Sequence, residues 1–375
     1  MIPANKPLIC KTQTGGREEV LQILSGLYPN RQIQLVFSGR QGLDVIYQNL
    51  YQKYGTLSVA VSPLTCFEAL YPIIRNNHRI ELVDINPDTL NMDETCIPED
   101  VQVIQPIHFG GNPQDMEKIT SLADNNDMIV VEDCAQGFGS CYDNQPVGTF
   151  GDYAVFSLMK NLYALGGGFT LSTDTLTMPK YTPLGHIPTA YRILKRFIES
   201  NNTYNSKIYN FILYRFLLST RPQNLDFIFA ENTINETILN SICSQLQNSE
   251  HLIEQRIVVA KHIIENVSNP VLKAQIVHPK SRTNYTRLFF TLEGKDLKST
   301  IKDLREKGIG ANHLTQDSIR YYQEPISENA VLKKFFKPNV LKNYLDLHDR
   351  VLSVPISPNI SKNEVSYIIS ELEQI

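Results

Sequence analysis

The chain of 375 residues carries 35 lysines and arginines against 39 aspartates and glutamates, a formal charge of -4, with 42% hydrophobic and 20% charged residues. That length and balance suit a soluble globule with one large core and a smaller companion domain, and the lack of a basic excess excludes a dedicated nucleic-acid binder. No apolar run approaches the roughly 18 residues of a membrane span, and the opening MIPANKPLIC lacks a charged stretch leading into an apolar one, so a cytoplasmic location and a small-molecule substrate are expected.

From residue 33 to 173 short β-rich runs alternate with helix-period stretches. The runs are IQLVFSG, LSVAVSP, RIELVDI, VQVIQPIHFG, MIVVEDCAQ, YAVFSL and GGFTLST, and helices are expected near 41–54, 66–76 and 114–124. This alternation predicts an α/β fold with a mostly parallel sheet, whose ligands gather outside the carboxyl ends of the strands. Residues 175–230 show neither alternation nor low complexity and read as a helical insertion. A long helix is expected over 236–266, then the strand RLFFTLEG, a helix at 297–307, the strand RVLSVPIS and a terminal helix opened by Ser361 with Glu364 at capping-box spacing. The expected domains are therefore 1–235, large and containing the insertion, and 236–375, a smaller α+β unit. Six cysteines (Cys10, Cys66, Cys96, Cys134, Cys141 and Cys243) have no metal-binding spacing, which argues for free thiols and no metal site. Cys134 reads as a packed small residue.

Three features carry chemistry. Glu132 and Asp133 are adjacent at the end of a strand, so alternation sends them to opposite faces and turns one toward the ligand side. Lys160 lies in FSLMKNLYALGGGFT, between apolar residues and ahead of three glycines; a buried ammonium costs several kcal/mol unless paired or deprotonated, so this amine is a candidate for use as an amine. SGRQGL opens a helix near the start of the domain. An amine for a Schiff base, a carboxylate for a heterocyclic nitrogen and a helix N-terminus for a phosphate are what pyridoxal 5'-phosphate requires.

The segment VVEDCAQGFGSCYDNQPVGTFGDYAVFSLMKNLYALGGG, 130–168, resembles the DegT/DnrJ/EryC1/StrS family of sugar aminotransferases, of the fold type I class of PLP-dependent transferases. VDINPDTLNMD, PIHFGGNPQDM, LREKGIGANHL and VLSVPISPNISKNEV are similar to family segments too. The resemblance implies that Lys160 holds the cofactor and moves a proton, and that Asp133 pairs with the pyridine nitrogen. It also implies that Gln136 lies near the phenolic oxygen, that Phe67 stacks on the ring, and that Gly39, Arg40, Gln41 and Ser157 hold the phosphate. Asn161 and His313 are expected toward the substrate. The implied reaction moves an amino group, with glutamate the expected amino-acid donor, to a nucleotide-linked keto sugar for amino-sugar or cell-surface polysaccharide biosynthesis, in a homodimer. A PLP-dependent sugar dehydratase of the family, which typically has histidine in place of the lysine, and a non-catalytic scaffolding homologue are the alternatives.

The chain departs from the family in places. Ser157 and Lys160 are three residues apart where the family has five, Arg40 replaces a small or hydroxyl residue, and a gapless match puts Glu231, next to Asn232, where a neighbouring subunit's asparagine is usual. In 189–221, six basic residues face one acidic residue, Glu199. Two readings stand for it: a helical pair packed within the protein, or a weak contact with an anionic membrane surface.

Overall fold

The computed structural model describes residues 2, 15–180, 182, 183, 193, 232–313 and 340–375. The 189–221 segment and Glu231 fall outside them, apart from the exposed Ile193.

A seven-stranded sheet forms the centre of the larger domain. It comprises β1 (Gln32–Val36), β2 (Ser58–Val61), β3 (Arg79–Leu82), β4 (Val103–Gln105), β5 (Ile129–Cys134), β8 (Tyr153–Ser157) and β9 (Gly168–Ser172), in the order β1-β9-β8-β5-β4-β2-β3. Strands β8, β5, β4, β2 and β3 run parallel, and β9 is antiparallel to both of its neighbours. Strands β2, β8 and β9 are buried throughout, as a sheet covered on both faces requires. The covering helices are α1 (Arg17–Leu27), α2 (Gly39–Tyr54), α3 (Phe67–Arg75) and α4 (Met116–Asn125). Local chemistry sets their ends: the Ser38 hydroxyl accepts from Gln41 N at 3.2 Å to open α2, and Gly55, at φ +75°, closes it.

Between β5 and β8 lie the short strands β6 (Cys141–Tyr142) and β7 (Gln145–Pro146); a single turn, α5 (Leu158–Asn161), follows β8 directly. Strands β10 (Thr182–Pro183) and β11 (Asn232–Thr233) pair in parallel. Next come α6 (Glu236–Gln247) and α7 (Ser249–Asn266), two helices meeting at Asn248 where one long helix was expected. The smaller domain is an antiparallel sheet of β12 (Leu272–Ala274), β14 (Leu288–Leu292), β16 (Val351–Val354) and β15 (Asn312–His313), in that order. It is joined by α8 (Leu297–Glu306) and α10 (Lys362–Leu372), while α9 (Lys342–Leu347) packs on the larger domain's core and β13 (Ser281–Arg282) pairs back onto β6. Ser361 and Glu364 form the expected capping box.

The change of core falls later than residue 235. Ile238, Ile242, Leu246, Ile253 and Ile257 pack with the sheet residues Phe156 and Phe169, whereas Ala260 and Ile263 pack with Leu288 and Leu352. The two cores therefore meet within α7. Hydrophobic periodicity shows that these helices bury a face but not which core receives it. The domains also meet where Phe109 stacks on Phe289, centroids 5.0 Å apart. Among the described residues no helix is long and apolar enough to cross a membrane.

Candidate active site

The two acids at the end of β5 have opposite fates. Glu132 is fully buried: Oε1 accepts from Phe150 N (2.8 Å) and Gly151 N (2.7 Å), and Oε2 accepts from Gly148 N (2.7 Å) and lies 3.2 Å from His108 Nε2. His108 Nδ1 accepts from Gln114 N at 3.1 Å, so its proton sits on Nε2 and is donated to Glu132. This carboxylate organises the turn that feeds β8. His108, Glu132 and Cys134 bring potential ligand atoms within 4.8 Å of one another, but these hydrogen bonds already occupy the imidazole lone pair and both carboxylate oxygens. Burial also pushes the Cys134 thiol well up, holding it neutral. The trio is packed core.

Asp133 is the acid turned toward the ligand edge. It is 5% exposed, and its Oδ1 accepts from Ala135 N at 3.0 Å. Burial raises its carboxyl above the ordinary range, and the Lys160 ammonium and the Ala135 N–H oppose the rise. A cation held at this edge therefore favours the ionised form.

Lys160 is the third residue of α5. Its side chain is exposed, not buried among apolar groups as its sequence neighbours imply, because Leu158, Asn161 and Leu162 take the inward positions of the turn. The turn is pinned from behind: Leu158 N donates to Gly167 O (3.1 Å), Gly167 N to Phe37 O (2.9 Å) and Ala164 N to Leu158 O (3.2 Å). The glycines serve this packing. A Cβ on Gly168 would collide with Phe156 O, and one on Gly167, at φ +90°, would lie 2.5 Å from Ile242 Cδ1. The close approach at these glycines is to the protein's own backbone and side chains.

The helix end that could take an anion lies at the same edge. A Cβ on Gly39 would sit 3.5 Å from Ser157 Cβ and 3.9 Å from Ala135 Cβ, so the start of α2 adjoins the ends of β8 and β5. Ser157 is buried at the end of β8, and its hydroxyl does not cap α5. Arg40 is half-buried in the first turn of α2. The Gln41 side chain folds back, Oε1 accepting from Phe37 N at 2.7 Å, so it closes the β1–α2 turn instead of reaching outward. Gln136 Oε1 accepts from Gly110 N at 3.1 Å. Phe67 opens α3, and Asn232 lies in β11; both side chains lie outside the described residues.

One expectation is corrected, and a second candidate is located. Asn161 does not face a substrate: it is fully buried, its Nδ2 donates to Ala135 O (3.0 Å), and its Oδ1 accepts from Asn284 Nδ2 (3.2 Å) and from the Thr286 hydroxyl. His313 belongs to β15 of the smaller domain, buried, with Nε2 3.1 Å from Asp349 Oδ1. Sequence reasoning missed Asn284, Thr286 and Arg256, whose guanidinium donates to Asn161 O at 3.1 Å. An Asx turn, Thr286 N to Asn284 Oδ1 at 2.7 Å, was the only local signal. Lys160, Asp133, Gly39 and Ser157 thus share one edge of the sheet. An exposed amine and a buried carboxylate at one sheet edge, beside a helix N-terminus and a hydroxyl not used as a cap, suit an aldehyde-bearing, phosphorylated heterocycle.

The sequence profile of the DegT/DnrJ/EryC1/StrS aminotransferase family matches residues 32–214 and 225–373. The dTDP-3-amino-3,6-dideoxy-alpha-D-galactopyranose transaminase of Aneurinibacillus thermoaerophilus is 24% identical over 323 residues, 84% of this chain and 78% of that one. Among solved structures, Spr1654 from Streptococcus pneumoniae in its PLP form superposes with a TM-score of 0.71 at 18% identity, over 97% of this chain and 92% of that one. GDP-4-keto-6-deoxymannose-3-dehydratase (ColD), in a mutant form with bound GDP-perosamine, gives 0.71 at 19% identity, over 96% and 93%. The expected α/β fold is that of these structures.

Proposed function

Because the chain belongs to the DegT/DnrJ/EryC1/StrS aminotransferase family, we propose that it uses pyridoxal 5'-phosphate to move an amino group from an amino acid, glutamate, to a nucleotide-linked keto sugar. The observation that carries this reading is the exposed Lys160 amine set electrostatically against the buried Asp133 carboxylate at the carboxyl edge of the sheet. When bound, the cofactor supplies an electron sink for a carbanion at the amino-bearing carbon. The chain supplies the rest. Lys160 would hold the cofactor through its amine and would serve as the acid–base group that moves a proton. Asp133 would pair with the protonated ring nitrogen, and the start of α2, with Gly39, Arg40 and Ser157, would hold the phosphate. Gln136, fixed through Gly110 N, would serve the phenolic oxygen, and Phe67 is the candidate for stacking on the ring that the family resemblance implies. The active unit in this reading is a cytoplasmic homodimer.

A second reading is favoured by the likeness to ColD: a dehydratase acting on a related sugar. Lys160 weighs against it, because the family's dehydratases typically have histidine in place of this lysine. The test is to supply PLP and glutamate with a panel of nucleotide-linked keto sugars, and to identify products by mass and NMR. A product gaining an amine supports transamination; loss of water without nitrogen gain supports the dehydratase.

A further inference from the structure

Asn161, next to Lys160, is gripped by parts of the chain that the reaction does not otherwise use. Its Nδ2 donates to Ala135 O at 3.0 Å, and Ala135 N donates to Asp133 Oδ1 at 3.0 Å, so two hydrogen bonds link the lysine's neighbour to the carboxylate. Its Oδ1 takes the Thr286 hydroxyl and Asn284 Nδ2 of the smaller domain. Its carbonyl, at the end of α5, takes the buried Arg256 guanidinium of α7. Thr286 Oγ1 also lies 2.8 Å from Gln136 O, and Asn284 Nδ2 lies 2.8 Å from the same oxygen.

A helix of one turn has no stability of its own, since nucleation costs more than a single turn returns. The position of α5 is therefore set by the bonds made to it. We propose that Asn161 and Thr286 are positioning residues that fix the spacing between the Lys160 amine and the Asp133 carboxylate and tie it to the seating of the smaller domain. The inference rests on Lys160 being the cofactor-binding amine. Asn161 clamps the two strand exits that carry the reacting groups, and Thr286 transmits the smaller domain's position to that clamp. Small misplacements of reacting groups cost rate more than affinity, so the clamp acts on kcat.

The test compares full-length wild type with Thr286→Val, which removes the hydroxyl at constant shape, and Thr286→Ser, which restores it. Without cofactor, hydrogen exchange at Leu162 and Ala164, whose amides close α5 onto Leu158 O, is faster in Thr286→Val than in wild type. Loaded with PLP, Thr286→Val is still labelled by borohydride at Lys160. Its kcat falls about tenfold, the loss of one hydrogen bond, while KM for the sugar stays within about twofold; Thr286→Ser recovers both the rate and the slow exchange. If wild type and Thr286→Val both label at Lys160 and have the same kcat, this proposal is overturned alone. A change in KM without kcat also overturns it. Wild type labelling at another lysine removes the functional reading and the proposal together.

Discussion

Glu132→Gln isolates what the acid on the far side of β5 contributes. The carboxylate receives three backbone N–H groups and the His108 Nε2–H, all in a buried setting. Glutamine keeps one acceptor oxygen and turns its amide nitrogen on the other pair of donors. The less costly orientation sets that nitrogen against Gly148 and His108, and the imidazole cannot change tautomer without giving up Gln114 N. Two buried donors are then unsatisfied, at about 1–3 kcal/mol each, so a loss of about 4 kcal/mol is expected. A chain of 375 residues unfolds with an entropy near 0.8 kcal/mol per kelvin at about 2.1 cal/mol/K per residue, so Tm falls by about 5 °C. The assay is circular dichroism melting of cofactor-free protein, with Glu306→Gln, a substitution in an exposed pair with Lys302, as a control expected to stay within about 0.5 kcal/mol. A Glu132→Gln Tm within a degree of wild type would refute the assignment of Glu132 as the organiser of the 148–151 turn.

Lys160→Ala should abolish both turnover and borohydride labelling, with PLP absorbance no longer fixed to the 158–164 peptide; label on another lysine refutes the role. Asp133→Asn should lower kcat by at least about a hundredfold, on the scale of other electrostatic catalytic contacts, while labelling at Lys160 persists; a near wild-type kcat contradicts it. The same substitution has the opposite effect on cofactor-free stability. Burial raises the folded-state pKa of Asp133, so the folded state holds the proton more tightly and wild type loses stability as pH rises from the ordinary carboxylate value through the folded one. Urea denaturation should therefore show Asp133→Asn gaining on wild type between acid and neutral pH, and a constant difference would count against a buried, raised carboxyl. Gly168→Ala should cost about 1–3 kcal/mol or more, because its Cβ meets the Phe156 carbonyl and not a movable side-chain tip; an unchanged midpoint would show that β9 can shift away from β8.

The sheet was legible because alternation encodes it locally, whereas Asp133 and Lys160 were singled out as a pair by the family resemblance. The facing of Glu132 and Asp133 was legible as a choice but not as an answer, since period two says that they diverge and not which side holds the ligand. Lys160 misled in one respect: apolar sequence neighbours implied burial, whereas in a one-turn helix those neighbours turn inward and leave the lysine outside. Only the three-dimensional packing identifies Phe156 and Ile242 as what Gly168 and Gly167 approach. Asn284 and Thr286 come from a distant segment of common polar residues, where nothing in the local pattern marks an attachment to Asn161. The break at Asn248 was hidden by hydrophobic spacing that continues across it.

The antiparallel setting of β9 has a bearing on how the protein is made. With β9 returning beside β8, the segment carrying Lys160 is a local hairpin, and it can pair soon after residue 172 leaves the ribosome. Asn284 and Thr286 emerge more than a hundred residues later, and closing that long loop slows the final contacts more than it weakens them. A nascent chain halted before Asn284 would carry the β8–β9 segment without the contacts that hold its lysine in place. The fixed position of Lys160 thus becomes a late event in biosynthesis, timed by the arrival of the smaller domain and not by completion of the sheet.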